Sequence, residues 1–346
     1  MKILILKPSS LGDVIQAIPV LRLLKRHLPE SQIYWWIEST LAPLLEGDPD
    51  LAGIIRFERR HWARPQNLLE FWRIVRWMRA QAFDWVIDLQ GLARSAAIGW
   101  LANGAMFIGL DTPREGARGF YDIRVPRRTF LTHAVDWYLA VLPHLGVPDR
   151  GDFRWLPERP DVAAGVRRKW AVGDSPWLVL QPGARWSNKR WPAEYYSALV
   201  LQLVAARPEL RFAILGAAED RQFGQTIAAA DPIRCLDLTG RTSLPEMVEW
   251  IRLGQLMVTN DTGPMHVAAA IGRPVVALFG PTEPRRTGPY GQGDRVLQHS
   301  LPCIPCMSSR CTYPKPVECL RAIPPERVLD AVLQLLAAPR HSRANS

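Results

Sequence analysis

VTNDTGPMHVAAAIGRPVVALFGPTEP, residues 258–284, reads as strand, tight turn, helix and second strand. Residues 256–259 form the end of an apolar strand, and Asn260-Asp261-Thr262-Gly263 makes a turn. Pro264 stands where a first helical residue belongs, because its missing N–H would have no partner there anyway. Residues 265–271 continue as a short helix, and Gly272 is its stop signal. Residues 274–279 are again apolar and are closed by Gly280-Pro281. This is a βαβ unit, whose ligand edge lies at the carboxyl end of the first strand.

The chemistry of that edge suits a phosphate. A helix start offers unpaired backbone N–H groups and a partial positive charge. Thr262 adds a hydroxyl, Gly263 lets a bulky anion approach the backbone, and His266 lies one turn further in. Asp261 is an anion and is assigned to sugar or ribose hydroxyls, or to fixing the turn. The competing reading is that Asp261 and Thr262 only cap the helix.

The chain has 346 residues, room for two domains, and its 48% hydrophobic and 22% charged content describes a globular protein. No apolar run approaches the roughly 18 residues of a membrane span. The start, MKILILKPSS, does not read as a signal peptide, since Lys7 and Pro8 end the apolar run, and the cytoplasm is expected. The formal charge is +10, from 43 Lys+Arg against 33 Asp+Glu, which favours acidic partners. The arginines are dispersed and no nucleic-acid-binding motif is present, so no nucleic acid is expected. That leaves phosphorylated substrates and an anionic membrane surface. Many of the 14 Trp stand beside Arg, as in residues 73–77 and 185–191, a mixture found at membrane surfaces as well as in ordinary cores.

Strands are expected at residues 2–6, 32–37, 53–57, 85–89 and 107–110, then at 177–181, 211–215 and 235–237. Helices are expected at 14–27, 38–47, 68–80, 133–145, 195–206, 221–230 and 326–336, and the 68–80 helix carries Arg73, Arg76 and Arg79. Ser243 and Glu246 are spaced as a capping box. Residues 146–160 are Pro-rich and aperiodic, and read as an interdomain linker. Domains are therefore expected at 1–155 and 160–325, with a helix and tail at 326–346. Both halves alternate β and α, which predicts an α/β protein of two Rossmann-like domains with parallel sheets facing across a cleft. Neither G-x-G-x-x-G nor a P-loop is present. Arg59, Arg60, Arg64, Arg94 and Arg118 all fall on loops or helix starts that follow strands, placing them either on one cleft or on solvated surface.

Five segments in order carry a family resemblance. They are Lys7-Pro8-Ser9-Ser10-Leu11-Gly12-Asp13, Asp88-Leu89-Gln90-Gly91, Gln181-Pro182-Gly183 with Lys189-Arg190-Trp191-Pro192, Asp261-Thr262-Gly263-x-x-His266, and Phe279-Gly280-Pro281-Thr282. As a set, over nearly the whole chain, they resemble glycosyltransferase family 9, the ADP-heptose:lipopolysaccharide heptosyltransferases. The resemblance implies a GT-B fold, an ADP-heptose donor, and inverting, metal-independent transfer to the inner core of lipopolysaccharide.

It also implies roles. Asp13 matches the general base, with Ser10 and Gly12 beside it on the acceptor side. Lys189, Gly183, Thr262 and Gly263 match positions around the donor diphosphate. Asp261 and His266 match the sugar or diphosphate edge, and Glu219 the ribose. Arg59, Arg60, Arg64, Arg94 and Arg118 resemble a basic cleft for a phosphorylated acidic acceptor. The N-terminal half looks closer to heptosyltransferase I, and the cysteine segment to heptosyltransferase II. Kdo-lipid A and a heptosylated acceptor therefore both stay open, at the cytoplasmic face of the inner membrane. A family 9 transferase with another nucleotide sugar or a non-lipopolysaccharide acceptor is the first alternative. A non-catalytic nucleotide-sugar or lipid-binding protein is the second.

Cys303-x2-Cys306-x4-Cys311-x7-Cys319 lies in residues 301–320, among Pro302, Pro305, Pro314 and Pro316. Its spacing suggests a structural Zn or Fe site, the alternative being free or redox-active thiols.

Overall fold

The computed structural model describes residues 1–58, 61, 65–112 and 115–338. The chain divides into two compact units, Met1–Pro157 and a second that begins at Glu158.

In the first unit the strands are β1 (Lys2–Leu6), β2 (Gln32–Glu38), β3 (Gly53–Phe57), β4 (Trp85–Asp88), β5 (Met106–Asp111) and β6 (Ile123–Pro126). They form one parallel sheet in the order β3-β2-β1-β4-β5-β6. Its helices are α1 (Leu11–His27), α2 (Leu68–Ala80), α3 (Ala93–Ala102) and α4 (Ala134–Leu139). The second unit holds β7 (Trp177–Gln181), β8 (Arg211–Ile214), β9 (Cys235–Asp237), β10 (Leu256–Asn260), β11 (Val275–Phe279) and β12 (Val296–Gln298), in the order β12-β11-β10-β7-β8-β9. Its helices are α5 (Pro160–Lys169), α6 (Ala193–Ala206), α7 (Arg221–Ala228), α8 (Leu244–Leu253), α9 (Gly263–Ala270), α10 (Pro284–Thr287), α11 (Glu318–Arg321) and α12 (Pro325–Ala337). Counted within each unit, the two sheets have the same doubly wound order, that of two Rossmann-like domains.

The reason lies in the strand sequences. KILIL, WLVLQ, LMVTN and VVALF are nearly continuous apolar runs, and each is buried along almost its whole length. A strand buried on both faces needs helices on both faces of its sheet, which parallel crossovers supply. In the second unit α6 contributes Leu199, Val200 and Leu203 to one core and α12 contributes Val328 and Val332. The terminal helix is thus part of that unit's core. In the first unit Val75 and Met78 of α2 pack on Leu4, Leu6 and Val86.

The boundary segment is tied down from inside the first unit. Arg22 of α1 is buried and donates to Asp48 at 2.5 and 2.6 Å, to Asp50 at 2.6 Å, and to the carbonyl of Trp155 at 3.0 Å. The chain therefore stays folded onto the first unit to within a few residues of the division at Pro157.

Four expectations are corrected. The expected helix over 38–47 is absent: Glu38 ends β2, and residues 39–47 are turns around a short 3-10 segment, Ala42–Leu44, with Pro43 inside it and Gly47 in the left-handed region at φ 72°. The 133–145 helix ends at Leu139, and Pro143 opens a separate 3-10 turn, because proline cannot donate to the preceding turn. β6 and β12 were not expected. Both are short edge strands bonded on one side only, so they lack a long apolar run. Helix α1 starts at Leu11, earlier than residue 14, because Ser10 takes the N-cap position. Among the described residues no helix is long and apolar enough to cross a membrane.

Candidate active site

In each sheet the strand order reverses direction between two central neighbours, β1 and β4 in one unit and β7 and β10 in the other. Loops leaving these pairs diverge and open a crevice at the carboxyl edge. Asp88 ends β4, and the segments after β1, β7 and β10 carry Asp13, Lys189 and Asp261.

In the first unit Asp13 is the third residue of α1. Its Oδ2 accepts from the Ser10 N–H at 3.0 Å and the Ser10 hydroxyl at 2.6 Å. Its Oδ1 accepts from the Tyr138 hydroxyl at 3.3 Å and lies 4.0 Å from the Lys7 ammonium. The carboxylate is nonetheless 40% exposed, so a substrate hydroxyl can reach it. Gly12, beside it, is buried. Lys7 is buried, donates to the Leu89 carbonyl at 2.9 Å, and sits 4.7 Å over the Tyr138 ring. Burial lowers the Lys7 pKa, opposed by the charges of Asp13 and Asp88. Burial and the neighbouring Asp13 push the Tyr138 hydroxyl well above its ordinary value. Tyr138 therefore remains a neutral donor to Asp13.

Asp88 is completely buried at the end of β4. It accepts from the N–H groups of Gln90 and Gly91 at 2.8 and 3.2 Å, and from the hydroxyls of Ser95 and Tyr121, both at 2.8 Å. Burial raises its pKa against these four donors. This cluster shapes the turn that launches α3, on whose second position Arg94 stands exposed. Gly91 is required there, since φ is +67° and a Cβ would meet Thr112 Cγ2 at 2.8 Å. Arg118, on the 3-10 turn after β5, pairs with Asp111 and is about half exposed. Arg59, Arg60 and Arg64 lie outside the described residues.

In the second unit Lys189 reaches from the turn after β7 to Asp261 Oδ2 at 2.5 Å. The same oxygen accepts from the Thr282 hydroxyl at 2.6 Å. The ammonium also lies 4.6 Å over the Trp186 ring. Thr262 occupies the N-cap position of α9, yet its hydroxyl makes no capping hydrogen bond. Asp261 is likewise held by Lys189 and Thr282, so neither side chain serves as the simple helix cap that the sequence left open. His266 is buried in the first turn of α9, and Glu219 is exposed on the turn after β8. Gly183 makes room for another side chain, since a Cβ there would meet Asp220 Oδ2 at 2.1 Å. Asp220 in turn pairs with Arg190 at 3.4 Å.

Several residues with structural parts in these sites carry no assignment in the sequence reading. Asn260 is buried, donates to the Pro182 carbonyl at 2.7 Å and accepts from the Trp191 N–H at 3.1 Å. It stitches the Lys189 loop to β10. Asn260→Ala is expected to lower the stability of the second unit by about 1–3 kcal/mol, because both backbone partners lose a buried bond. A urea midpoint unchanged from the parent protein would refute this. Thr282, Lys7 and Asn260 stand inside or beside the quoted motifs, which was the available signal. Tyr138 had none, being 125 residues from Asp13.

The cysteine segment braces the Lys189 loop. Asn188 donates to the Ser308 carbonyl at 2.8 Å, and Met307 N–H to the Pro281 carbonyl at 2.8 Å. Cys303, Cys306 and Cys311 are exposed and Cys319 is buried. The Cys319 thiol is pushed up to about 11 by burial, then by Cys311, Cys303 and Cys306. Among the described residues no group of three or more His, Cys, Asp or Glu is arranged to hold a metal ion.

Comparison with known proteins gives the chain a family and fold relatives. Residues 71–316 match the model of Glycosyltransferase family 9 (heptosyltransferase). The chain is 31% identical to Lipopolysaccharide heptosyltransferase 1 of Pseudomonas aeruginosa, over 99% of this chain and 100% of that protein. It is 30% identical to Lipooligosaccharide heptosyltransferase 2 of Haemophilus influenzae, over 86% of this chain and 88% of the relative. Among solved structures it is similar to E. coli ADP-heptose lps heptosyltransferase II, with TM-score 0.79 and 26% identity over 97% of this chain and 98% of that one.

Proposed function

The chain belongs to glycosyltransferase family 9, and from that premise we infer that it is an enzyme moving heptose from ADP-heptose to the inner core of lipopolysaccharide. The observation that carries the site assignment is at the start of α9. There the Thr262 hydroxyl is not used as a cap and the Lys189 ammonium reaches the same turn.

The first unit supplies the base. An acceptor hydroxyl attacks the anomeric carbon and its proton passes to Asp13, which Ser10 and Tyr138 hold in place. The new bond is from the acceptor oxygen to that carbon. The bond that breaks joins the carbon to the diphosphate oxygen, which keeps the electron pair. One displacement from the opposite face inverts the anomeric centre.

The second unit supplies the leaving-group site. Negative charge growing on ADP meets Lys189, the Thr262 hydroxyl and the N-terminus of α9. Before the donor arrives Lys189 is paired with Asp261, so the diphosphate draws on a cation already held in position. With this charge provided by the chain, the transfer is expected to proceed without a divalent metal. Asp261 and His266 are assigned to the sugar or diphosphate edge, and Glu219 to the ribose. Arg94, Arg118, Arg59, Arg60 and Arg64 are assigned to the acidic acceptor.

The test is ADP release from ADP-heptose in EDTA, with and without acceptor. Release only with Kdo-lipid A supports a first-heptose enzyme, and release only with a heptosylated acceptor supports a second-heptose enzyme. No release with either overturns the assignment in favour of another nucleotide sugar or acceptor.

For the four thiols we propose one structural Zn or Fe, the alternative being free or redox-active thiols. The donor types and their spacing suit such an ion, although among the described residues the thiols are not gathered around one metal position. Such an ion would staple residues 301–320 and take no part in transfer. Anaerobically purified protein is expected to carry about one metal per chain, and elemental analysis finding none would remove this assignment.

A further inference from the structure

Helix α2 has two apolar faces, and among the described residues only one packs into the core of the first unit. Phe71, Ile74, Val75 and Met78 recur at helical spacing and pack on the core of the first unit. The opposite side of an ordinary surface helix is polar. Here it carries Leu69, 82% exposed, with Leu68 at 54% and Trp72 at 46%. Trp77 is 42% exposed and rests its ring edge on Tyr34. Between these side chains stand Arg73, Arg76 and Arg79, all exposed. Helix α3, which packs beside α2, adds Trp100 at 62% exposure.

We propose that this outer face of α2 docks on an anionic lipid surface. Exposed apolar side chains of this size mark a binding surface, and the charge among them selects the partner. Leucine and tryptophan seat at the boundary of headgroup and acyl chain, while interleaved arginines meet anionic headgroups. The helix has one acidic residue, Glu70, which is held by His61 at 2.7 Å and stands against three exposed arginines. A second copy of the chain would set arginine against arginine, and a nucleic acid would leave Leu68, Leu69 and Trp72 without an apolar partner. The proposal rests on the transferase reading only in making a lipid-linked acceptor the reason for docking. It adds a named surface through which the enzyme stays on the plane where that acceptor lies.

The test uses the whole protein and vesicles without donor or acceptor, so that its failure is separate from failure of the transferase assignment. Co-sedimentation is measured with vesicles of 70% phosphatidylcholine and 30% phosphatidylglycerol, and with phosphatidylcholine alone. The parent protein is expected to bind the anionic vesicles and to be released by salt. The double variant Leu69→Glu/Trp72→Glu is expected to lose at least tenfold in partition. The triple variant Arg73→Gln/Arg76→Gln/Arg79→Gln is expected to lose on the order of 100-fold and most of the salt dependence. ADP release with a short, water-soluble acceptor analogue should be unchanged in both variants. The proposal is overturned by a parent protein that ignores anionic vesicles, or by a double variant that binds as the parent does. It is also overturned if the substitutions instead abolish self-association of the chain.

Discussion

Asp13→Asn is expected to lower kcat by about 100- to 10,000-fold, the usual contribution of a positioned general base. Donor affinity should barely change, because the leaving-group residues belong to the other unit. The substitution keeps the size of the side chain and one oxygen for Ser10, so α1 should fold normally. Tyr138→Phe gives the companion result. Its hydroxyl donates to Asp13 Oδ1 and is held neutral by burial. Removing a donor to a carboxylate disfavours the charged form. The acidic limb of the kcat profile should therefore move to higher pH, with the alkaline limb and donor binding unchanged. A fully active Asp13→Asn variant would reduce Asp13 to a residue that orders the start of α1, and another base would be needed.

Lys189→Met is expected to lower kcat/KM by about 100- to 1,000-fold, as loss of a charged contact to a developing anion does elsewhere. ADP affinity should fall as well, since the product carries the same diphosphate. The alternative is that Lys189 is a structural ion-pair partner of Asp261. The two readings separate cleanly. A structural pair would cost stability while leaving ADP binding to folded protein intact. A phosphate ligand would lose ADP binding even well below the unfolding midpoint. Stability should drop in either case, because Asp261 is nearly buried and would lose its cation while keeping the Thr282 hydroxyl. Isothermal titration with ADP on folded Lys189→Met decides between them.

Both predictions combine residues legible in the sequence with partners that were not. Asp13 and Lys189 stand in short motifs next to apolar strands, and strand-loop-helix order places such loops on a sheet's carboxyl edge. The long central strands were equally legible, since a run such as VVALF has few other homes. Edge strands β6 and β12 were not, because half their bonding potential goes unused and their sequences carry little apolar signal. Helix ends at Pro143 and around residues 38–47 were misread where proline and a left-handed glycine overrode apolar spacing. Whether Thr262 caps its helix also could not be read from sequence, since the same residue types suit a cap and a phosphate.

What the sequence by itself determined was the architecture and the class of chemistry. Alternating apolar strands and helices specify doubly wound sheets, and family motifs in order specify a transferase of nucleotide-activated sugars. These depend on local periodicity and on short segments, which a linear string records. Only the tertiary structure decided which groups stand against those motifs. It set Tyr138 against Asp13, Thr282 against the Lys189–Asp261 pair and Asp220 over Gly183, and it left Leu69 and Trp72 facing outward. Such contacts join residues far apart in the chain, and their effect on charge depends on burial and distance, which exist only once the chain is folded.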